Sequence, residues 1–237
     1  MKKIGLIFTL VIVFIAICST SHAGPWDWIK EFSKSVTSKS LSDTKIGSGL
    51  KEALRVGTER TIKQLSKDNG YYDSQAVKIL LPEKVERVES MLRKIGLGPK
   101  IDEFILSMNR AAEKAAPVAA DVFSTAITEM TIDDARSILG GSETAVTDYF
   151  KDKTYNKLLQ VFQPVINRAM SDYAVRRKFD EILGGVSSIP FGNIDLTQYV
   201  ASKALNGLFY TLGQEEKKIR QDPAARATNL LKQVFKD

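Results

Sequence analysis

The chain has 237 residues, with 34 Lys and Arg against 28 Asp and Glu, one cysteine and one histidine. Its formal charge of +6 is mild and its charges are interleaved, so no basic stripe with stacking aromatics marks a nucleic-acid partner. Cys18 and His22 both lie in the first 23 residues. A chain that loses them can form no disulfide, no zinc or haem site built on Cys or His, no Cys nucleophile and no Ser-His-Asp triad.

Those first 23 residues have the layout of a secretory signal peptide. Met1-Lys2-Lys3 is a short basic start, Ile4 to Ile17 form an uncharged run, and Ser21-His22-Ala23 place small residues at the first and third positions before Gly24. The run is short of the ~20 apolar residues that a membrane-spanning helix needs. A lipid anchor on Cys18 is disfavoured by the branched Ile17 before it. Cleavage after Ala23 leaves residues 24–237 with 32 basic and 28 acidic groups. That product is expected in the periplasm, without a transmembrane helix, and no cofactor is implied for it.

Residues 24–40 form an amphipathic segment in which Trp26, Trp28, Ile29, Phe32 and Val36 line one face of a short helix. Such a face either docks on its own domain or anchors at a membrane interface. Docking is the better reading, because an anionic bilayer repels Asp27 and Glu31.

Residues 41–237 read as one all-helical domain. Ser42 or Asp43 caps a helix to about Ser66, which "DNGYYD" breaks. "VKILL" at 77–81 carries a weak strand signal. Pro82 suits the first turn of a helix with a Val85, Val88, Leu92, Ile95 stripe and Gly96 as its terminator. The next helix runs from about Pro99 into "AAEKAAPVAADVF", with Pro117 kinking or restarting it. Thr131 and Asp134 resemble a capping box, Ser142 opens a further helix, and Pro164 interrupts a long helical stretch that Gly184-Gly185 closes. "SSIPFGN" is a loop, Asp195 caps a long helix to about Asp222, and Pro223 starts the last one. Residues 196–212 are apolar nearly all round, as in the central helix of a bundle, while Lys203 and Asn206 argue against a membrane span.

The segments "SGLKEALRVGTERTIKQL", "MNRAAEKAAP", "MTIDDARSILGG", "DYFKDKT" and "KALNGLFYTLGQEEKKIRQDPAARATNLLKQVF" resemble a family of exported bacterial proteins, domain of unknown function 4197. The likeness spans nearly all of the chain after residue 23. It implies a helical exported domain of a Gram-negative-type cell, and it implies no activity, substrate, cofactor or catalytic residue.

Helical wheels single out the polar groups that face inward. Arg60 falls within the arc of Ile46, Leu50, Ala53, Leu54, Gly57 and Leu65, whereas Glu52, Arg55 and Glu59 point away. Glu215 continues the Leu208, Leu212, Ile219 stripe. A charge on a buried stripe needs a partner, so Arg60 and Glu215 are each expected to have one, and they are candidates for each other. Asn109, Arg110 and Glu113 share one side of a helix, and Arg110–Glu113 reads as a surface ion pair worth a few tenths of a kcal/mol. Small residues at 111, 112, 115, 116, 119 and 120 admit a neighbouring helix. Glu89-Ser90 matches a dipeptide of all-α lytic transglycosylases but lacks their Gly-rich and aromatic companions, and Asp133-Asp134 lacks the spacing of a calcium loop.

The resulting expectation is a multi-helix bundle around an apolar C-terminal helix, preceded by a signal peptide. The functional expectation is a non-enzymatic module that binds an envelope component, a partner protein or an apolar small molecule. Two alternatives stand beside it: a carboxylate-dependent hydrolase of envelope polymers, with acids facing each other across a cleft, and a peripheral membrane or lipid-binding protein with an apolar cavity.

Overall fold

The computed structural model describes residues 47–184 and 194–222, all within the compact unit Lys45–Asp237. The readings for residues 1–23, for the 24–40 segment with Trp26, Trp28, Ile29 and Phe32, for the Ser42 or Asp43 cap, for the loop at 187–193 and for the helix after Pro223 lie outside the described residues.

Among the described residues the secondary structure is helical, with no strand. Helix α1 spans residues 47–65. Turns follow to residue 82, then the short helices α2 (Glu83–Glu86) and α3 (Glu89–Leu92). A wide turn at Arg93–Leu97 leads into α4 (Gly98–Ala115), and a tight turn at Ala116–Val118 leads into α5 (Ala119–Glu129). The remainder is α6 (Ile132–Leu139), α7 (Ala145–Asp172), α8 (Val175–Gly184) and α9 (Leu196–Gln221).

Helix α9 runs antiparallel along α7: Glu216 meets Val146 and Thr147, the Phe209 ring stacks on Tyr155, and Gln198 meets Gln163. Helix α4 packs against α7, α8 and α9. Its Ala111, Ala112 and Ala115, with Ala116 and Ala119 beyond, are fully buried and leave room for close approach, whereas Ala120 faces outward. The core is tied by ring contacts of Phe104 with Phe179 (5.3 Å) and of Phe123 with Phe150 (5.4 Å) and Phe209 (6.1 Å). Each such buried ring contributes about 1.5–3 kcal/mol through area removed from water.

Local rules explain several boundaries. Thr131 Oγ1 accepts from the Asp134 N–H (3.1 Å) and Asp134 Oδ2 accepts from the Thr131 N–H (3.0 Å), a reciprocal cap for α6. The Thr131 hydroxyl and amide hold the Asp134 carboxyl below the usual carboxylate range. Asp195 Oδ1 accepts from the Gln198 N–H (2.9 Å) and starts α9.

Elsewhere the structure departs from the sequence expectations. "VKILL" is irregular, because the Asn109 amide occupies the Ile79 N–H and C=O where a strand partner would stand. The expected helix from Pro82 is broken at Val88 (φ −111°, ψ 3°) and Ile95 is 56% exposed rather than part of the stripe, while Gly96 (φ 90°) ends the helical turn as its expected terminator. Pro164 does not interrupt α7, which continues through it with Leu158, Phe162 and Ile166 locked in the core on both sides. Ser142 lies outside α7, whose first residue is Ala145. Helix α9 is not buried all round: Lys203, Asn206 and Tyr210 form an outward stripe, with Tyr210 49% exposed.

Candidate functional site

The polar residues of α4 hold the irregular stretch 66–82 in place. Asn109 is fully buried; its Oδ1 accepts from the Ile79 N–H (2.9 Å), and its Nδ2 donates to the Ile79 carbonyl (2.8 Å) and the Ile105 carbonyl (2.7 Å). One turn on, Glu113 Oε1 accepts from the backbone N–H groups of Tyr71 (3.1 Å) and Tyr72 (3.3 Å). Its Oε2 accepts from Arg110 (2.6 Å), whose other nitrogen donates to Asn69 Oδ1 (2.7 Å). Glu113 is only 3% exposed, so the Arg110–Glu113 pair is not the surface ion pair that the spacing suggested. It is a buried carboxylate held by two amides and a guanidinium, a set whose disruption costs far more than that of an exposed pair.

Tyr71 completes this clamp. Its ring is fully buried and its hydroxyl donates to the Ala204 carbonyl of α9 (2.8 Å). The ring fits because residue 207 is glycine: a Cβ there would lie 2.8 Å from Tyr71 Cε1 and 3.1 Å from Val77 Cβ. Tyr199 ties the end of the same stretch, its hydroxyl donating to the carbonyls of Leu80 (3.0 Å) and Leu81 (3.1 Å). Burial raises both phenols, that of Tyr199 to about 12.

A second polar set joins α9 to α1 and α7. The Glu215 carboxylate lies 2.6 Å from Lys218 Nζ and 3.8 Å from Arg60. The Arg60 side chain is 39% exposed and that of Glu215 is 8% exposed, so the pair sits at the rim of the core. The neighbouring Glu216 points elsewhere. Its oxygens accept from the N–H groups of Val146 and Thr147 (both 3.0 Å) and from the Thr147 hydroxyl (2.9 Å). Those N–H groups are otherwise orphaned at the start of α7, whose N-cap Thr144 makes no side-chain cap. Arg220 braces the carboxylate at 3.0 Å and donates to the Ile138 carbonyl (3.1 Å).

Beside Glu216 lies an apolar cavity of about 20 Å³, lined by Leu50, Leu54, Gly57, Val146, Leu212 and Ile219. It has room for about one water and is far below the several hundred Å³ that an acyl chain or drug-sized ligand fills. Among the described residues no group of three or more His, Cys, Asp or Glu is placed to hold a metal ion. No described helix is long and apolar enough to cross a membrane. Glu89 is bound by Arg93 (2.8 Å) on the surface.

One of several open polar features among the described residues is a groove along the outer faces of α7 and α9. It consists of a hollow of about 500 Å³ between the two helices and an adjoining one of about 460 Å³ on the face of α7, which share Asp148 and Lys151. Helix α7 contributes Asp152, Tyr155 and Asn156, and α9 contributes Asn206, Tyr210, Gln214 and Lys217. At one end Gly213 faces Thr147 and Thr144, where an added Cβ would rest in ordinary contact 3.6–3.7 Å from Thr147 Oγ1 and Thr144 Cγ2. The half-buried Tyr155 ring is fixed by its stack on Phe209 (6.3 Å, 24°).

Comparison with protein families places this chain. The model for the family described as protein of unknown function (DUF4197) matches residues 40–236. The chain belongs to that family. No curated protein and no solved structure matches it. The DUF4197 span contains α1 to α9, both clamps and the groove.

The structure brings Asn109, Arg110 and Glu113 together with a partner stretch that sequence spacing could not name, and it sets Arg60 and Glu215 apart from them at the α1–α9 rim. Glu216, Tyr71 and the α7–α9 groove were missed. For the groove a signal existed, since Lys203, Asn206 and Tyr210 recur at helical spacing on a face counted as apolar. For Glu216 none did, because its ligands lie some seventy residues away in the chain.

Proposed function

We propose that this DUF4197 domain is an exported, non-enzymatic binding module that acts on a component of the bacterial envelope. The observation that carries the reading is the division of its polar groups. The buried polar groups are committed to the fold: Asn109 bonds three backbone groups, Glu113 accepts from two backbone amides and Arg110, and Glu216 accepts four hydrogen bonds, which occupy the lone pairs that a substrate proton would need. The accessible groups of the α7–α9 groove sit instead on a rigid helical frame. Asp148 and Asp152 share one exposed helix face and do not oppose each other as the acids of a glycosidase do. The basic start, apolar run and Ser21-His22-Ala23 site support export.

The test is expression of the full chain with its own leader in a Gram-negative host, followed by fractionation, N-terminal sequencing and native mass spectrometry. A periplasmic protein beginning at Gly24 and retaining an envelope component is expected. A chain beginning at Met1 in the cytoplasm overturns export. Turnover of an envelope polymer by the pure protein overturns the binding role.

A further inference from the structure

We infer that the α7–α9 groove binds uncharged oligosaccharide chains. The inference rests on the binding-module reading and names the ligand class of its groove. The charged groups lining the two hollows balance: Asp148 and Asp152 against Lys151 and Lys217. Such a lining carries no net formal charge, unlike the one-signed clefts that recruit charged ligands. Its uncharged members include Asn156, Asn206 and Gln214 and the rings of Tyr155, Phe209 and Tyr210. Carboxamides offer a paired donor and acceptor and carboxylates offer paired acceptors, which match vicinal hydroxyls or, for the carboxamides, the N–H and C=O of an acetamido group.

The rings supply the complementary surface. Tyr210 is 49% exposed on a helix otherwise rich in core residues. An exposed aromatic with a polar tip suits a ligand whose faces are C–H and whose edges are hydroxyl. Along α9 the stripe from Asn206 to Lys217 extends about 16 Å, enough for several sugar rings in a row. An apolar peptide helix would want a continuous apolar floor, and here Asp148, Lys151, Asn206 and Gln214 interrupt it.

The experiment titrates the processed full-length chain with chitotetraose and, separately, with cellotetraose, followed by amide NMR shifts and calorimetry. Saturable binding with dissociation constants of about 0.1–1 mM is expected, with shifts confined to the faces around Asn206 and Tyr210. Preference for chitotetraose assigns an acetamido contact, and equal binding assigns hydroxyl recognition; either supports the inference. Tyr210→Ala and Asn206→Ala should each weaken binding about tenfold while the thermal melt stays unchanged. No binding of either saccharide at about 10 mM overturns the inference, as does binding that both substitutions leave intact. Tighter, salt-sensitive binding of a sulfated oligosaccharide also overturns it, because the site would then be electrostatic. An envelope partner captured on another face would leave the proposed function standing while this inference fell.

Discussion

The clamp around residues 66–82 and the groove between α7 and α9 use the same kinds of side chain for opposite ends. Each combines tyrosines and asparagines with carboxylate and cationic groups. In the clamp they are buried and every contact is internal: Asn109 replaces a missing strand, Glu113 gathers two amides, and Tyr71 reaches across to α9. In the groove they stand on regular helices that already satisfy their own backbone, so Asn206 and Tyr210 are not required to pair it. Residue type therefore does not separate structure from function here. What separates them is whether the backbone nearby has lost its regular partners.

The comparison breaks most visibly at Glu113. Glu113→Ala strands two buried amides and a guanidinium, and should lower stability by about 3–5 kcal/mol in urea unfolding. Glu113→Gln keeps an acceptor for the amides and should cost less. A loss below about 1 kcal/mol for the alanine variant would show that the clamp is ornamental. Glu216→Ala, which uncaps α7 and leaves Arg220 without its carboxylate, should follow at about 2–4 kcal/mol. Gly207→Ala drives a methyl into the Tyr71 ring and should cost about 1–3 kcal/mol despite alanine's better helix propensity. The same substitution at Gly184, beside which a Cβ meets nothing, is the control.

Much of the frame could be read from the chain because it follows local rules. Thr131 with Asp134 and Asp195 with Gln198 are caps separated by three residues, and the alanines from 111 to 119 announce a close helix crossing. The clamp could not be read, because its bonds join residues separated by 30 to 133 positions. A helical wheel ranked Glu215 as the inward acid, and the structure buries Glu216 as deeply by turning it toward the start of α7. Adjacent residues differ by about 100° on the wheel, so two neighbours can both be buried when helices pack on two sides. Pro164 was read as a break because its missing N–H is a local fact, while the core residues that carry α7 through it are a tertiary one.

Alkaline titration sharpens the contrast through the clamp tyrosines. Burial raises the Tyr199 phenol to about 12, then the Glu86 and Glu83 charges add to the rise, and burial moves Tyr71 in the same direction. A folded-state value above the unfolded value of about 10 means that the protonated phenols stabilise the fold fully below pH ~10. That stabilisation is lost as pH climbs toward about 12. Urea midpoints should stay level from about pH 7 to 9 and fall above about pH 10, and the fall should be shallower in Tyr199→Phe. A flat profile through that range would mean that the phenols are wetter than the clamp requires.

The smallest effect is the most telling, because it is predicted to be nearly nil. Tyr210 and Asn206 lie on the outward stripe of α9, and the core there is closed beneath them by Leu205, Leu208 and Phe209. Removing both side chains leaves no cavity and strands no buried polar group, so the double variant Asn206→Ala, Tyr210→Ala should change unfolding free energy by less than about 0.5 kcal/mol. Alanine even favours the helix slightly over either residue. Paired with Glu113→Ala in one series of urea melts, it asks whether two tyrosine- and asparagine-bearing surfaces of one domain differ about tenfold in what the fold requires of them. A loss near that of Glu113→Ala would make the groove part of the scaffold, and Tyr210 would then be a packing residue whose exposure has no bearing on binding.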